Sequence, residues 1–398
     1  MTDSHSNPQK TRILTCMNWE NHTMMDPLHL GIRQFALSRP NWKIGLFYDR
    51  DRRGTWMEDI LKWEPKGLLI ATKTSDFGKL TRALQLPTVV IDLFHEHPPG
   101  VSRLEIDEVA TGGQAASYLM EKRFRHFAVV TIPSSPPRAR MRMQGFQEAL
   151  RQEGVSAPSF ELDQVMERPW VHNPELEQWL RDLPKPVGIY WVKDAAAQRV
   201  LEHCEWLKIR VPTEVSILGT NNHEMACISM SPTLSSLSLP LERMGYRAAE
   251  VLDEALESSA SGDSPPIVHE RIQPGDVVER QSTSLRAIPD PAVSKAVNFL
   301  HDHVLEGATI PEAVRHAGVG RRTLELGFKK YLGVTPGQYI GELKINYAKK
   351  LLVETDLRMW EIAEGCRMSP AYFNTLFRRG TGTTPNAFRK EKSSRMMS

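Results

Sequence analysis

The feature that most constrains this chain is a change of hydrophobic period near residue 280. Upstream, short apolar runs alternate with stretches whose apolar residues recur every three or four positions. The runs Arg12–Cys16, Ile44–Tyr48, Gly67–Ala71, Thr88–Asp92, Phe127–Ile132, Val187–Val192 and Val215–Gly219 read as buried strands. Gly112–Lys122, Met141–Arg151 and Asp194–Leu207 carry the clearest helical spacing. Strands alternating with helices build parallel sheets covered on both faces. So many units in about 275 residues exceed one comfortable sheet, and two similar lobes are expected.

Downstream the strand signal vanishes. Ala292–Leu305, Ile310–Ala317, Arg321–Tyr331, Pro336–Glu354, Met359–Cys366, Pro370–Arg378 and Pro385–Glu391 all read as helices. The expected fold class is a two-lobed α/β domain with parallel sheets over residues 11–281, followed by an all-α domain over 291–392. Residues 282–290 form the linker, with Asp290-Pro291 opening a helix. Residues 1–10 are expected to be a disordered N-terminus and 393–398 a tail.

The helical domain writes one device twice. "VGRRTLELGFKKYLGVTP" (319–336) and "MSPAYFNTLFRRGTGTTP" (368–385) match at Phe328/Phe377, Lys329-Lys330/Arg378-Arg379, Gly333/Gly382 and Thr335-Pro336/Thr384-Pro385. In the first copy a short helix ends at Gly318, which suits the tight turn between crossed helices. The next helix turns Leu324, Phe328 and Tyr331 inward and shows Arg321, Arg322, Thr323, Glu325, Lys329 and Lys330 outward. In the second copy Ser369 caps a helix opened by Pro370. Phe373 and Phe377 face inward there, while Ala371, Tyr372, Asn374, Thr375, Arg378 and Arg379 face out. Such a polar, cationic face suits the major groove, where arginine binds guanine and phosphate contacts supply affinity. A connecting helix of about 25 Å lets two such units enter successive grooves about 34 Å apart.

Charge agrees. Residues 286–398 hold 18 Lys/Arg against 11 Asp/Glu, a net +7, whereas the preceding residues hold 32 against 37, a net −5. A basic end on an acidic body suggests nucleic-acid binding.

This helical domain resembles the DNA-binding domain of AraC-type transcription regulators. The residues that carry the resemblance are "LEL-GFKKYLGVTPGQYI", "KINYAKKLL" and "EIAEGC-RMSPAYFNTLFRRGTGTTPNAFRK". It implies that Arg322, Thr323, Glu325 and Leu326, with Ala371, Tyr372, Asn374 and Thr375, lie near bases. Three positions depart from the family. Arg367 replaces a turn glycine, Gly320 replaces a capping serine, and Leu326 stands where a basic or polar residue is common. Gly327 should also weaken its helix by about 1 kcal/mol relative to alanine.

Two α/β lobes ahead of a DNA-binding domain suggest ligand sensing in the cleft between them. Residues 11–281 resemble the periplasmic-binding-protein-like sensors of LacI-type sugar repressors, through "RARMRMQGFQEAL" (138–150), residues 187–224 and residues 231–252. The order, sensor first, resembles that of xylose operon regulators. The resemblance implies effector-binding residues at strand ends. Arg140 is the expected sugar-contacting arginine. Lys193 and Asp194 stand where Asn-Asp is usual, and Asn221 stands where aspartate is common. These exchanges suggest a ligand other than xylose. Asn18, Trp19 and Glu20 follow the first strand, and Asp107 is a further candidate or a hinge residue.

No GxSxG, HExxH, GxxxxGK[ST] or GxGxxG motif is present. His95 and His97 lack a third ligand at suitable spacing, so no metal and no cofactor is expected. The four cysteines are scattered and suit reduced thiols. No apolar run is long enough to span a membrane. The expectation is a cytoplasmic, homodimeric, non-enzymatic transcription regulator, an activator of sugar-utilisation genes. Its partners are a double-stranded DNA operator, a small-molecule sugar effector and RNA polymerase. The alternatives are a solute-binding protein or a sugar-related enzyme carrying an accessory helical domain.

Overall fold

The structure, a computed structural model, describes residues 10–18, 22–48, 56–72, 81, 84–92, 100–131, 137–162, 172–194, 197–285, 288, 290–355 and 357–390. Trp19, Glu20, His95, His97, parts of the linker and most of both terminal segments lie outside this set. The chain divides into two compact units, Met1–Leu285 and Arg286–Ser398.

The first unit contains β1 (Thr11–Met17), β2 (Trp42–Tyr48), β3 (Gly67–Ala71), β4 (Thr88–Asp92), β5 (Ser102–Ile106), β6 (His126–Thr131), β7 (Ser159–Glu161), β8 (Val187–Trp191), β9 (Val215–Asn221), β10 (Ser235–Ser238), β11 (His269–Ile272) and β12 (Val277–Val278). They form two six-stranded sheets, ordered β11-β5-β4-β3-β1-β2 and β12-β10-β9-β8-β6-β7. Every pairing is parallel except β10 with β12. All seven expected strands are present. β5, β7, β10, β11 and β12 were not expected, being short, polar or both.

Among the described residues the main helices of this unit are α1 (His22–Leu37), α2 (Trp56–Trp63), α3 (Glu108–Glu121), α4 (Pro137–Gln152), α5 (Pro174–Asp182), α6 (Ala197–Trp206), α7 (Glu224–Ser229) and α8 (Leu241–Ala260). Three times the chain leaves one sheet for the other lobe: from β5 to α3, from β10 to α8, and from β11 to β12. The crossing segments are bonded together. Asp107 N donates to Ile272 O at 3.0 Å, Gly275 N to Ser238 O at 3.0 Å, and Gln114 Nε2 to Gly275 O at 3.0 Å.

The crossover helices α3 and α8 share a spacing, Gly112/Ala115/Ala116/Leu119 and Gly245/Ala248/Ala249/Leu252, and all eight residues are buried. Each glycine marks a close crossing. A Cβ on Gly112 would lie 1.9 Å from Arg142 O of α4, and one on Gly245 would lie 2.0 Å from Leu28 O of α1. Each lobe therefore packs its crossover helix backbone to backbone on the helix that follows its first strand.

Where this unit ends, the chain is tied to the second sheet. Ser282 Oγ donates to Ile217 O at 2.6 Å and accepts from Ser235 N at 2.8 Å. Thr283 Oγ1 lies 2.8 Å from Ser235 Oγ and 2.7 Å from Tyr118 Oη.

The second unit is helical: α9 (Pro291–His303), α10 (Ile310–Ala317), α11 (Arg321–Leu332), α12 (Pro336–Glu354), α13 (Met359–Gly365), α14 (Pro370–Thr381) and a helical segment at 385–390. Asp290 caps α9 by accepting from Ala292 N at 2.9 Å. The repeat holds in three dimensions. Gly333 and Gly382 end α11 and α14 with φ of 77° each, the left-handed cap that glycine supplies without cost. Phe328 meets Tyr339 edge-to-face at 5.7 Å, and Phe377 meets Phe388 in the same way at 5.5 Å. Ala313 and Ala317 in the first copy, with Ile362 and Ala363 in the second, are the buried residues of the supporting helices.

Candidate nucleic-acid interface and effector cleft

Helices α11 and α14 each bury one stripe and expose the other. Leu324, Phe328, Phe373 and Phe377 are fully buried. Arg321, Arg322, Thr323, Leu326, Lys329 and Lys330 of α11 are exposed and Glu325 is half-buried. Arg321 Nε donates to Glu325 Oε1 at 2.9 Å. On α14, Ala371, Tyr372, Asn374, Thr375, Arg378 and Arg379 are all exposed. Asn374 and Thr375 donate back to Pro370 O and Ala371 O at 3.1 and 3.0 Å, which holds them close to the helix. The first copy thus presents arginines near its N-terminus and a leucine at its middle, while the second presents neutral groups at the matching positions. Both put two cations near the C-terminal end.

The two turns differ in residue but agree in shape. Gly318 has φ 71°, and Arg367, at the equivalent position, has φ 53°. Arg367 Nε donates to Leu305 O at 3.2 Å, and its carbonyl accepts from Lys344 Nζ at 3.0 Å. The departure at this turn leaves the left-handed geometry in place.

In the first unit the carboxyl ends of β6, β8 and β9 bring together a charged cluster. Arg142, with a side chain only 2% exposed, forms a two-pronged ion pair with Glu108 at 2.5 and 3.1 Å. Its Nη1 donates to Val192 O at 2.9 Å and Asn221 Oδ1 at 3.0 Å. Burial, and then the Arg142 charge, lower the Arg138 guanidinium to about 10. Partial burial, Arg138 and Arg142 also hold the Lys193 ammonium below the usual lysine range, although Lys193 is exposed at the surface. Asp194 is buried and accepts from Ser236 Oγ at 2.7 Å and His223 N at 2.9 Å. Burial raises its carboxyl above the ordinary range. Asn221 and Asn222 close β9 with φ of 106° and 48°, sparsely populated values that mark a constrained strand end. Arg280 Nη2 donates to Asn222 Oδ1 at 2.8 Å.

Arg140, the arginine expected from the sequence, is exposed. It lies on the exposed side of α4, because two residues along a helix amount to a rotation of about 200°. Arg138, Arg142, Gly145 and Phe146 form the inward stripe instead, and their spacing of four, seven and eight was the signal that could have singled out Arg142. Glu108, Asn222, Ser236 and Arg280 carry no sequence signal of their own. Asn18 is buried beyond β1, with its N–H 3.3 Å from Ala71 O. Asp107 caps α3, accepting from Ala110 N at 2.8 Å, and stands in the first crossing segment. Among the described residues no group of three or more His, Cys, Asp or Glu could hold a metal ion. No helix among them is long and apolar enough to cross a membrane.

Residues 116–283 match the periplasmic binding protein-like domain family, and residues 313–391 match the helix-turn-helix domain family. The xylose operon regulatory protein of Escherichia coli K12 is 28% identical over 368 residues, covering 90% of this chain and 92% of that protein. The xylose operon regulatory protein of Haemophilus influenzae is 31% identical over 300 residues, covering 74% and 76%. A solved structure described as a xylose-binding transcription activator aligns with a TM-score of 0.74 at 26% identity, covering 96% of this chain and 99% of that one. Fold and relatives together define a transcription regulator, not an enzyme, in which a periplasmic-binding-protein-like sensor precedes an AraC-type helix-turn-helix domain. The chain belongs to the family of xylose operon regulatory proteins.

Proposed function

We propose that this protein is a cytoplasmic, sugar-responsive activator that binds an operator as a homodimer and recruits RNA polymerase to sugar-utilisation genes. The observation that carries the reading is the pair of exposed, mostly cationic helix faces repeated on one helical scaffold. Helix α11 supplies Arg321, Arg322, Thr323, Glu325, Leu326, Lys329 and Lys330. Helix α14 supplies Ala371, Tyr372, Asn374, Thr375, Arg378 and Arg379. A gel shift with the full chain against duplexes enriched from a random pool tests it. Retarded bands that compete with non-specific DNA should survive moderate salt, and their absence would sink the reading.

The effector site of this reading is the cleft face built from Asn18, Arg138, Arg142, Lys193, Asp194 and Asn221, with Asp107 in the crossing segment. Trp19 and Glu20 remain candidates on sequence alone. A guanidinium fork and an amide suit vicinal hydroxyls, and the names of the relatives point to xylose or a related sugar. Arg142 replaces Arg140 as the central contact. A thermal-shift screen over pentoses, hexoses and sugar acids identifies the effector. Arg142→Lys should then lose most of the ligand-induced shift and Arg140→Ala should keep it; the opposite order would restore Arg140.

A further inference from the structure

Leu326 is 64% exposed on α11, the most exposed large apolar side chain of the second unit's described residues. It is no fringe of the core, because Leu324 and Phe328, the apolar residues on either side of it, are fully buried. Its neighbours on the helix surface are Arg322 and Thr323 one turn before and Lys329 and Lys330 one turn after, all exposed. Glu325, beside it in sequence, is held by Arg321. The outer face of α11 is therefore an apolar centre inside a cationic rim. In a major groove the rim is drawn to the phosphates of the two flanking strands, and the centre meets base edges. Only one base edge presents an apolar group there, the C5-methyl of thymine. Cytosine offers an amino donor at the neighbouring position, which a leucine would bury without an acceptor.

We propose that Leu326 is a specificity-determining residue that reads the methyl group of one thymine in the operator. The assignment rests on the DNA-binding reading of α11 and adds to it a contact with no hydrogen bond.

The test uses the full chain and the duplex enriched for the gel shift. Each thymine is replaced in turn by deoxyuridine, which removes only the methyl. One replacement should weaken binding about fourfold, the value of a single buried methyl. Leu326→Ala should bind the thymine duplex about fourfold more weakly than wild type and be indifferent to the same replacement. Leu326→Met should retain the sensitivity. Wild-type indifference to every uracil, or a Leu326→Ala protein as sensitive as wild type, would overturn the assignment while leaving DNA binding intact. Failure to enrich any duplex would overturn both.

Discussion

Two single residues show how context reverses a local rule. Arg367 occupies a turn where its partner copy has Gly318, and it accepts the left-handed conformation rather than reshaping the turn. For a residue with a Cβ that conformation costs roughly 1–2 kcal/mol, while an exposed hydrogen bond to Leu305 O returns little. Arg367→Gly should therefore raise stability by about 1 kcal/mol and the melting temperature by several degrees; thermal unfolding followed by circular dichroism measures it. Gly327 looks like a weak point of α11 from helix propensity. In the fold, a Cβ there would lie 2.4 Å from Val293 Cγ2 of α9. Gly327→Ala should lower stability by about 1–3 kcal/mol despite the better propensity. A variant as stable as wild type in urea would show that the two helices can part without cost. On α4 helical phase does similar sorting, with Arg138 and Arg142 buried and Arg140 exposed.

Among the elements, most of the strands that the sequence revealed are buried along their length and apolar throughout, as β3, β8 and β9 are; β2, at a sheet edge with only Trp42 buried, showed through its apolar and aromatic residues alone. β10, "SSLS", hid for a physical reason. Its first two serines are buried as hydrogen-bonding residues, Ser236 serving Asp194 and Ser235 serving Ser282 and Thr283. The crossover helices were equally hard to rank, since their common glycine and alanine spacing acquires meaning only when a second helix crosses it. Gly245→Ala, which would put a methyl 2.0 Å from Leu28 O, should cost more than about 2 kcal/mol, and chemical denaturation of the full chain would report it. At α10 the capping box offers a pH test. Thr309 Oγ1 and N donate to Glu312 at 2.7 and 2.8 Å and hold its carboxyl below the usual glutamate range. A depressed folded value means that this contribution is present above the ordinary glutamate range and lost as pH falls through the lower, folded value. Glu312→Gln should flatten that part of a stability-against-pH profile.

For the whole molecule, the order of units and the duplicated device were legible because both are periodic signals. The charged cluster around Arg142 was legible only in part, since it joins residues more than a hundred positions apart, from Glu108 to Asn221. The two helix-turn-helix copies should divide their labour. Arg322 is exposed on α11, whereas Asn374 and Thr375 are turned back on their own helix, so base discrimination is expected from the first copy. Arg322→Ala should relax sequence preference more than Asn374→Ala in a competition binding assay, and the reverse order would show the assignment is wrong. Removing Lys330 and Arg379 together should instead weaken all duplexes alike and flatten the salt dependence by about two counterions.

The hydroxyl ties at residues 282 and 283 have a mechanical meaning. They fasten the chain to β9, β10 and α3, all parts of the second lobe. Whatever follows Leu285 departs from that lobe as from a fixed bracket. The three crossing segments are bonded to one another, and a turn of one lobe against the other about them would carry the bracket along with the second lobe.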